Sequence, residues 1–415
     1  MRSPDTIAEV WPDMWPTHFA CCLITRSGII LFTAGYAVSS GDLLALQLPA
    51  IYSSATHRNV EISKISLRSG MLIGQLIFGI VGDLYGRTRA CNITLLLILF
   101  STLSIACLGD GPGLQISSSL VIMRVIQGVG IGGSYPSTTL MVSEYAPTNK
   151  RPIMLAAIFL WYICGSFYAN AVAAITQVKS DQIDSIWRFV VGFGLIPGVA
   201  AFGLLQLWKI SETPVFRENH RQNRGVLLWG RDFLNYLCDN RKTYFAICGA
   251  WFAADAVAYG YRSDIRPSDI NVNQDNTNMS GVLIDNVIRV FFGSVLGALA
   301  TLVFISYLPR KVIMIVGFAA SAILFAVFGF FPGKMGYISY LTLSTMIMFA
   351  QNFGPNALTF IVAAELWCTQ YRSTSYGIAS AYGRLGTITS YTIFRVFAID
   401  SDKTFIGPLS LIIVM

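Results

Sequence analysis

Charged residues are scarce in this chain. Lys, Arg, Asp and Glu together make up 12% of its 415 residues, whereas soluble domains average about 25%. Hydrophobic residues make up 54% of the chain, and the mean hydropathy is +0.58. A water-soluble fold of this length could not bury so much apolar surface. The composition therefore excludes an ordinary soluble protein and predicts one that crosses a membrane several times.

Metal and redox motifs are also lacking. The three histidines, His18, His57 and His220, lie far apart, and the eight cysteines show no paired spacing. We therefore expect no metal site, no disulfide framework and no cofactor. No nucleophile stands beside a base, so the pattern does not indicate an enzyme. The formal net charge is +7, and the basic residues lie between the apolar runs. This placement indicates that they orient the chain in a bilayer, and it does not indicate nucleic-acid binding.

Apolar runs of membrane-spanning length alternate with short polar loops. With about 20 residues for one crossing, the sequence predicts six helices, a basic interval and five more helices. The fold class is therefore an all-α membrane protein, with an N-terminal segment at 1–27, a six-helix half at 28–209, a central loop at 210–243 and a second half at 244–415. The last run, 405–415, is too short to cross a bilayer, which predicts an incomplete twelfth helix. The predicted helices cover 28–50, 67–84, 91–108, 117–143, 153–177, 187–209, 244–262, 286–307, 312–331, 337–364 and 375–398.

Basic residues fall in alternate loops. One set of loops holds Arg87, Lys150, Arg310 and Arg372, whereas the other set holds mainly acids and amides. Positive charge marks cytosolic loops, so we expect the N-terminus and the central loop in the cytosol. The chain is predicted to be an integral multi-pass protein, and we expect it in the plasma membrane.

A polar turn follows the second predicted helix. Residues 74–90, GQLIFGIVGDLYGRTRA, place glycines along one helix face and then add Asp83 and Arg87. Glycines at this spacing allow another helix to approach closely in lipid. The stretch resembles the G-x-x-x-D-x-x-G-R-x-[KR] loop of the major facilitator superfamily of transporters, with every required position filled. That resemblance implies a conformational gate at Asp83 and Arg87.

The chain contains an internal repeat. Glu144 precedes Arg151 by seven residues at the end of the fourth predicted helix, and Glu365 precedes Arg372 by seven at the end of the tenth. One element at the same position in two halves predicts the parallel repeats of major facilitator transporters. We therefore expect these four residues to take part in conformational gating. The second-half counterpart of the Asp83 turn is degraded and keeps only its basic pair, in the run ISYLPRK at 305–311.

Three further stretches narrow the family. Residues 128–151, GVGIGGSYPSTTLMVSEYAPTNKR, and 352–387, NFGPNALTFIVAAELWCTQYRSTSYGIASAYGRLGT, resemble the phosphate:proton symporters of fungi and plants. The run WFAADAVAYG at 251–260 matches the W-F-x-x-D-x-x-x-Y-G helix of that family. The resemblance implies proton-coupled uptake of inorganic phosphate by alternating access. It also implies that phosphate binds between the halves at Tyr135, Trp251, Asp255, Tyr259, Asn356 and Arg384, with Tyr162 at the position of a phosphate-binding glutamine.

The spacing around Asp255 has its own physical meaning. Trp251, Asp255 and Tyr259 are four residues apart and therefore share one helix face. An acid at the centre of the bilayer costs roughly 2.5 to 3.5 kcal/mol, so Asp255 is expected to face a cavity. Beside an anion, its carboxylate would share a proton, since two close anions disfavour joint ionisation. That proton would couple the two fluxes.

Structural alternatives accompany these roles. Asp255 could bond a neighbouring helix, and the aromatic residues around it could be packing residues. Arg384 could be a cation that extends towards a helix end, and Asn356 could cap a helix break after Pro355. Arg124 could neutralise Asp42 or an entering anion, or it could form a hydrogen-bonded interhelical pair.

Two acids of the family pattern are replaced. Ser39 and Ser134 stand where the symporters have aspartate, whereas Asp42 is retained. We predict proton coupling through Asp42, Asp255 and Arg124. A proton symporter of a phosphorylated organic anion, such as a glycerophosphodiester, or of another organic anion is the alternative transporter. A non-transporting nutrient sensor is the alternative of another class.

Overall fold

The computed structural model describes residues 17–51, 57–108, 116–179, 183–208, 210–213, 216–217, 226–264, 279–330 and 336–400. All regular structure in these ranges is helical. The helices are α1 (Thr17–Ile51), α2 (His57–Tyr85), α3 (Arg87–Ala106), α4 (Ile116–Tyr145), α5 (Arg151–Lys179), α6 (Ile183–Phe193), α7 (Leu195–Leu207), α8 (Val226–Asp239), α9 (Arg241–Asp264), α10 (Met279–Ile288), the π segment (Arg289–Val295), α11 (Leu296–Phe304), α12 (Arg310–Phe330), α13 (Tyr337–Phe353), α14 (Pro355–Glu365) and α15 (Arg372–Asp400).

The helices form two halves that pack against each other. In the first half, α1 packs on α5, and α4 packs on both α2 and α3. In the second half, α9 packs on α15, and α13 packs on α12 and the π segment. The halves meet mainly where α2 contacts α15 and where α5 contacts α10. The predicted all-α membrane fold is confirmed, whereas the predicted incomplete last helix at 405–415 lies outside the described residues.

Glycines allow α2 and α4 to pack backbone against backbone. A Cβ atom on Gly128 would lie 2.9 Å from the Cα atom of Gly70, closer than real Cβ atoms approach. The two helices can therefore touch only because neither position carries a side chain. Such contacts between small residues are how helices associate in lipid, where no hydrophobic force draws them together.

Three crossings that were predicted as continuous helices are interrupted. The sixth breaks at Gly194, between α6 and α7, and the tenth breaks at Gly354, between α13 and α14. Gly354 has φ −127° and ψ −79°, and Pro355 then begins α14 because it needs no backbone N–H partner at a helix start. The eighth crossing widens into the π segment between α10 and α11. Apolar length predicted these crossings but not their local breaks.

Two predicted helix starts were wrong. Helix α1 begins at Thr17 and α2 at His57, about ten residues before the predicted starts. The sequence interpretation left Arg26 in the N-terminal segment and placed Arg68 at the very start of the second helix. Both guanidinium groups are in fact buried inside the bundle. A buried arginine does not mark a loop when its charge is compensated within the fold.

The central loop contains a helix that the sequence analysis did not predict. Helix α8 turns one aromatic face toward the second half, where Trp229 and Phe233 lie 5.8 and 5.6 Å from Tyr371, ring centroid to ring centroid. Tyr236 accepts a hydrogen bond from the backbone of Cys368 at 3.0 Å. These aromatic residues recur at helical spacing, and that spacing could have predicted the helix from the sequence.

Seven spans have the length and apolar character to cross a membrane, among the residues that the structure describes. They correspond to α1, α2, α3, α5, α6 with α7, α10 with α11, and α12. The other predicted crossings are α4, α9, α13 with α14, and α15. Each of them carries polar side chains into the centre of the bundle, and a break divides α13 from α14. The chain is an integral multi-pass membrane protein. Its four least apolar crossings lie around the centre of the helix bundle.

Candidate functional site

A cavity lies between the two halves at the centre of the bundle. Its volume is about 80 Å³, above the roughly 10–15 Å³ that a cavity needs to hold one water molecule. The cavity therefore has room for one small ion or for a few water molecules. All of the predicted anion-site residues line it, namely Tyr135, Tyr162, Trp251, Asp255, Tyr259, Asn356 and Arg384. Their shared location is a structural fact, whereas their role in binding stays a prediction.

Arg384 and Asp255 face each other across this cavity. Nη1 of Arg384 lies 3.4 Å from Oδ2 of Asp255, and the two side chains are 3% and 7% exposed. Neither these two atoms nor Nε of Arg384 make a hydrogen bond. The contact is therefore between charges only, and the donors and the acceptor stay available to a ligand. Because Arg384 lies well inside α15 and is buried, the alternative of a cation at a helix end is wrong.

Aromatic rings form much of the wall. The rings of Tyr135 and Tyr162 meet edge to face, with centroids 5.6 Å apart. The guanidinium carbon of Arg384 lies 5.5 Å from the ring centroid of Tyr135 and 5.7 Å from that of Tyr259. Cation–π contacts of this kind hold a buried guanidinium in place. They do not use its N–H groups as hydrogen-bond donors, so these groups can still bind a ligand. The wall therefore positions one cation beside three phenol hydroxyls.

Amide side chains complete the wall on the second half. Asn356 lies in the first turn of α14, after the break at Gly354, and donates from Nδ2 to Oδ1 of Asn352 at 3.5 Å. Asn352 in turn donates to the hydroxyl of Ser294 at 3.2 Å. Asn352 and Ser294 line the cavity but were not predicted as site residues. Asn352 is the first residue of the NFGPN run, which was the available signal, whereas Ser294 reaches the cavity because the π segment shifts the register of its helix.

The two serines that replace family acids lie in different surroundings. Ser39 lines the cavity, and its hydroxyl lies 2.5 Å from that of Ser166. Ser134 is fully buried and donates to the carbonyl of Ile131 at 2.7 Å. Ser134 is not among the residues that line the cavity. An acid at position 39 would therefore face the cavity, whereas an acid at position 134 would face packed protein.

Asp42 is neutralised by an arginine that the sequence analysis missed. Nη2 of Arg68 lies 3.1 Å from Oδ2 of Asp42. Arg124, the predicted partner, instead donates to Oε1 of Gln127 at 2.9 Å, and Gln127 donates to Thr102 of α3 at 3.0 Å. The bond of Arg124 stays within α4, and Gln127 makes the contact with the neighbouring helix, so a role of Arg124 in proton coupling stays a prediction. Arg68 was missed because the second helix was predicted to begin only one residue before it.

The predicted gate residues meet at the end of the bundle that holds Asp83, here called the Asp83 end. Asp83 accepts hydrogen bonds from the backbone of Ser373 at 3.2 Å and of Thr374 at 2.8 Å, in the first turn of α15. Arg87 lies 3.1 Å from Asp83 and 2.9 Å from Glu144. An acid of the first half thus caps a helix of the second half, and this holds the two halves together at the Asp83 end.

The second half repeats this network in a more exposed form. Nε of Arg310 lies 2.9 Å from Oε2 of Glu365, with side chains 44% and 15% exposed. In the first half the corresponding pair, Arg87 and Glu144, is 2% and 0% exposed. The internal repeat is therefore visible in the ion pairs as well as in the sequence. Arg151 and Arg372, the last residues of the two repeats, donate to the carbonyls of Ala146 at 3.5 Å and Trp367 at 3.0 Å.

A short segment after the first half joins the network at the Asp83 end. The carboxylate of Glu212 accepts from the backbone N–H groups of Arg87 at 3.0 Å and Thr88 at 3.1 Å, at the start of α3. The hydroxyl of Thr213 donates to Glu144 at 2.5 Å. Sequence reasoning did not assign these residues to the gate, because the contacts join positions more than 60 residues apart.

The chain is similar to known transporters in sequence and in fold. The family model described as "Sugar (and other) transporter" matches residues 65–232. The repressible high-affinity phosphate permease of Neurospora crassa is 29% identical over 88% of this chain and 75% of its own length. An inorganic phosphate transporter of Saccharomyces cerevisiae is 25% identical over 89% of this chain and 74% of its own. Inorganic phosphate transporter 1-1 of Arabidopsis thaliana is 26% identical, with 93% of this chain and 86% of its own covered.

Solved structures share the fold. The proton:xylose symporter XylE, bound to 6-bromo-6-deoxy-D-glucose, superposes with a TM-score of 0.74 at 17% identity, covering 95% of this chain and 94% of that one. An inward-open structure of the xylose transporter from E. coli gives 0.68 at 18% identity, with 95% and 94% covered. Identities this low carry the fold and not the substrate. The helical repeat and the motif at Asp83 are those of major facilitator transporters, and these matches show that the chain has the major facilitator fold.

Proposed function

We propose that this chain takes up inorganic phosphate together with protons, by exposing its central cavity to one side of the membrane at a time. The observation that carries the proposal is the contact of Arg384 with Asp255. Buried polar atoms in a native structure are nearly always hydrogen-bonded, yet Nε and Nη1 of Arg384 and Oδ2 of Asp255 are not. A small oxyanion that carries a proton would satisfy all three.

The cavity wall matches phosphate chemistry. A guanidinium can donate two parallel hydrogen bonds to phosphate oxygens. The hydroxyls of Tyr135 and Tyr162, the indole of Trp251 and the amide of Asn356 are further donors on the wall. An ionised Asp255 would repel the anion, so one proton between the carboxylate and a phosphate oxygen is needed for both to bind. Phosphate and proton would then cross together.

The contacts at the Asp83 end support alternating access. The hydrogen bonds that α15 donates to Asp83, and the one that Ser143 of α4 donates to the carbonyl of Ala364 at 3.2 Å, join the two halves at the Asp83 end. Breaking them would open the cavity at that end. The basic loops lie at the Asp83 end, which by the positive-inside rule faces the cytosol. We place the N-terminus in the cytosol and the protein in the plasma membrane.

The size of the cavity favours inorganic phosphate over an organic phosphodiester. Inorganic phosphate is a compact ion of five heavy atoms, and its size suits a cavity of about 80 Å³. A glycerophosphodiester with its two substituents would need a wider cavity. The relatives reported above are named as phosphate permeases or transporters, which also favours inorganic phosphate as the substrate.

The test is uptake of radiolabelled phosphate into liposomes that contain the purified protein, with and without an inward proton gradient. We expect saturable uptake that the gradient accelerates. Asp255→Asn keeps the shape but cannot carry the shared proton, so gradient-driven uptake should be lost. The matched control is Asp285→Asn, which removes another buried carboxylate, one bound by the hydroxyl of Tyr337 and absent from the cavity wall.

Three results would contradict the proposal. Unchanged gradient-driven uptake in Asp255→Asn would remove the coupling role of that acid. Competition by a glycerophosphodiester but not by phosphate would identify an organic anion as the substrate. Phosphate binding without any uptake would identify a sensor.

A further inference from the structure

Gln351 is an amide of the cavity wall that the sequence analysis did not predict. Its side chain lines the cavity and is 6% exposed. It lies in the last turn of α13, three residues before the break at Gly354. Its Nε2 atom is buried and makes no hydrogen bond. Buried polar groups in native proteins nearly always have a partner, so a ligand in the cavity is the candidate acceptor for this amide.

The neighbouring amides are already occupied by protein groups. Asn352 donates to the hydroxyl of Ser294 at 3.2 Å and to the carbonyl of Met348 at 2.9 Å. Asn356 donates to Oδ1 of Asn352 at 3.5 Å. These contacts hold the wall together across the helix break and the π segment. Among the amides of this wall that the structure describes, Gln351 is therefore the one whose donors no protein group uses.

Four buried polar atoms of the wall make no hydrogen bond within the described ranges. They are Nε and Nη1 of Arg384, Oδ2 of Asp255 and Nε2 of Gln351. Three of these atoms donate hydrogen bonds and one accepts. Because all four belong to residues that line a single cavity of about 80 Å³, one small ligand can satisfy the whole set.

A tetrahedral oxyanion that carries a proton is the complement of this set. The guanidinium of Arg384 can donate in parallel to two of its oxygens. Asp255 can accept from a third oxygen through the proton on that oxygen. The fourth oxygen then remains for the amide of Gln351, which can only reach it as a donor from Nε2. An ion with three oxygens would leave the amide donor unused.

We propose that Gln351 is a specificity-determining residue that donates to the fourth oxygen of phosphate and makes the cavity prefer phosphate to phosphite. In phosphite, a hydrogen atom bonded to phosphorus takes the place of one oxygen. Phosphite can turn this hydrogen toward the neutral amide, because the charged partners bind oxygens more strongly. The buried amide is then left without an acceptor, which weakens binding. The inference rests on the proposed function, since it concerns the phosphate ligand of the same cavity.

The experiment measures the affinities of the purified full chain for phosphate and for phosphite at one pH, by isothermal titration. We expect wild-type protein to bind phosphate about tenfold or more tightly than phosphite, the effect of one hydrogen bond to an anion. Gln351→Leu removes the amide, so phosphate affinity should fall by about the same factor while phosphite affinity hardly changes. The ratio of the two affinities should approach one.

Using two ions with each variant separates a direct contact from a change in the fold. A variant that distorts the cavity, or shifts the balance between its open and closed states, weakens both ions alike and leaves their ratio unchanged. Gln351→Met, which is unbranched and adaptable in packing, is the second variant in case leucine does not fit the wall. It should lose the preference for phosphate in the same way.

Gln75→Leu is the matched control. Gln75 of α2 is also fully buried, with both amide atoms unbonded, but it does not line the cavity. Its replacement removes the same groups from another place in the bundle. The ratio of phosphate to phosphite affinity should therefore stay at the wild-type value.

Three outcomes overturn the inference. They are a wild-type ratio close to one, a wild-type ratio retained in both Gln351→Leu and Gln351→Met, and an equal change of the ratio in Gln75→Leu. An equal loss of affinity for both ions in the Gln351 variants also retains the ratio and counts against a direct contact. Failure of the proposed function looks different, because wild-type protein would then bind neither ion.

Discussion

Thr374 donates both its backbone N–H and its hydroxyl to the carboxylate of Asp83, each at 2.8 Å. Thr374 lies in the first turn of α15 and Asp83 at the end of α2, so the acid of one half serves as the helix cap of the other. The N-terminus of a helix carries unpaired N–H donors and a partial positive charge. The contact is strong while the halves touch and is lost when they separate, which suits a gate.

Asp83→Asn should weaken the closed Asp83 end. The amide keeps the shape but loses the charge that attracts the helix N-terminus and Arg87, so we expect a loss of about 1–2 kcal/mol in the free energy of closure. Alkylation of a single cysteine introduced as Ser143→Cys in a cysteine-free background would report opening, since Ser143 is buried between the halves. Labelling should be several-fold faster with Asp83→Asn. Equal rates would show that Asp83 does not hold this end closed.

The two repeats of the gate should differ in stability when their acids are neutralised. Glu144→Gln removes one of the two carboxylates that neutralise the buried Arg87, which should cost about 1–3 kcal/mol. Glu365→Gln breaks the half-exposed pair with Arg310, which should cost about 0–1 kcal/mol. Thermal unfolding in detergent measures both. Similar losses in the two variants would mean that burial does not set the strength of these pairs.

Phosphate binding should require the planar, two-donor geometry of the Arg384 guanidinium as well as its positive charge. Arg384→Ala removes the cation opposite Asp255, so phosphate affinity should fall by at least about a hundredfold, whereas Arg384→Lys keeps a point charge and should retain part of the affinity. Isothermal titration of the purified variants would measure this. A wild-type affinity in both variants would exclude Arg384 from the anion site.

Restored acids should act differently at the two serine positions. Ser39→Asp places a carboxylate in the cavity within reach of the Ser166 hydroxyl, so uptake should depend more steeply on external pH, because coupled acids hold protons to higher pH. Ser134→Asp places one in packed, dry protein, so the yield of folded protein should fall. Well-folded Ser134→Asp protein with a steeper pH profile than Ser39→Asp would reverse this assignment.

Gln75→Leu should stabilise the protein. Both amide atoms of Gln75 are buried without a hydrogen bond, in a side chain that is 0% exposed. Removing buried unsatisfied groups should gain about 1 kcal/mol or more in the free energy of unfolding. Gln127→Leu is the matched control, because the amide of Gln127 is bonded at both ends, to Arg124 and Thr102, and its loss should destabilise. A lower melting temperature for Gln75→Leu would show that the amide has a partner in the membrane.

Sequence alone determined the fold class and much of the site. Apolar runs long enough to cross a bilayer form spanning helices, because backbone N–H and C=O groups cannot stay unpaired in lipid. The Glu144 and Glu365 repeat indicated two halves. An acid in an apolar helix is costly, so Asp255 had to face something polar. The resemblance then selected the other anion-site residues, all of which the structure brings to one cavity.

Tertiary structure decided which charges pair. The sequence suggested Arg124 as the partner of Asp42, and only packing shows that Asp42 lies 3.1 Å from Arg68. It also decided that Ser39 faces the cavity while Ser134 does not, and that the helix at Gly354 breaks. The physical reason is that helix formation and burial in lipid depend on composition along a short stretch. Partners across the bundle, by contrast, depend on how helices rotate and cross, and those angles are set jointly by side chains far apart in the sequence.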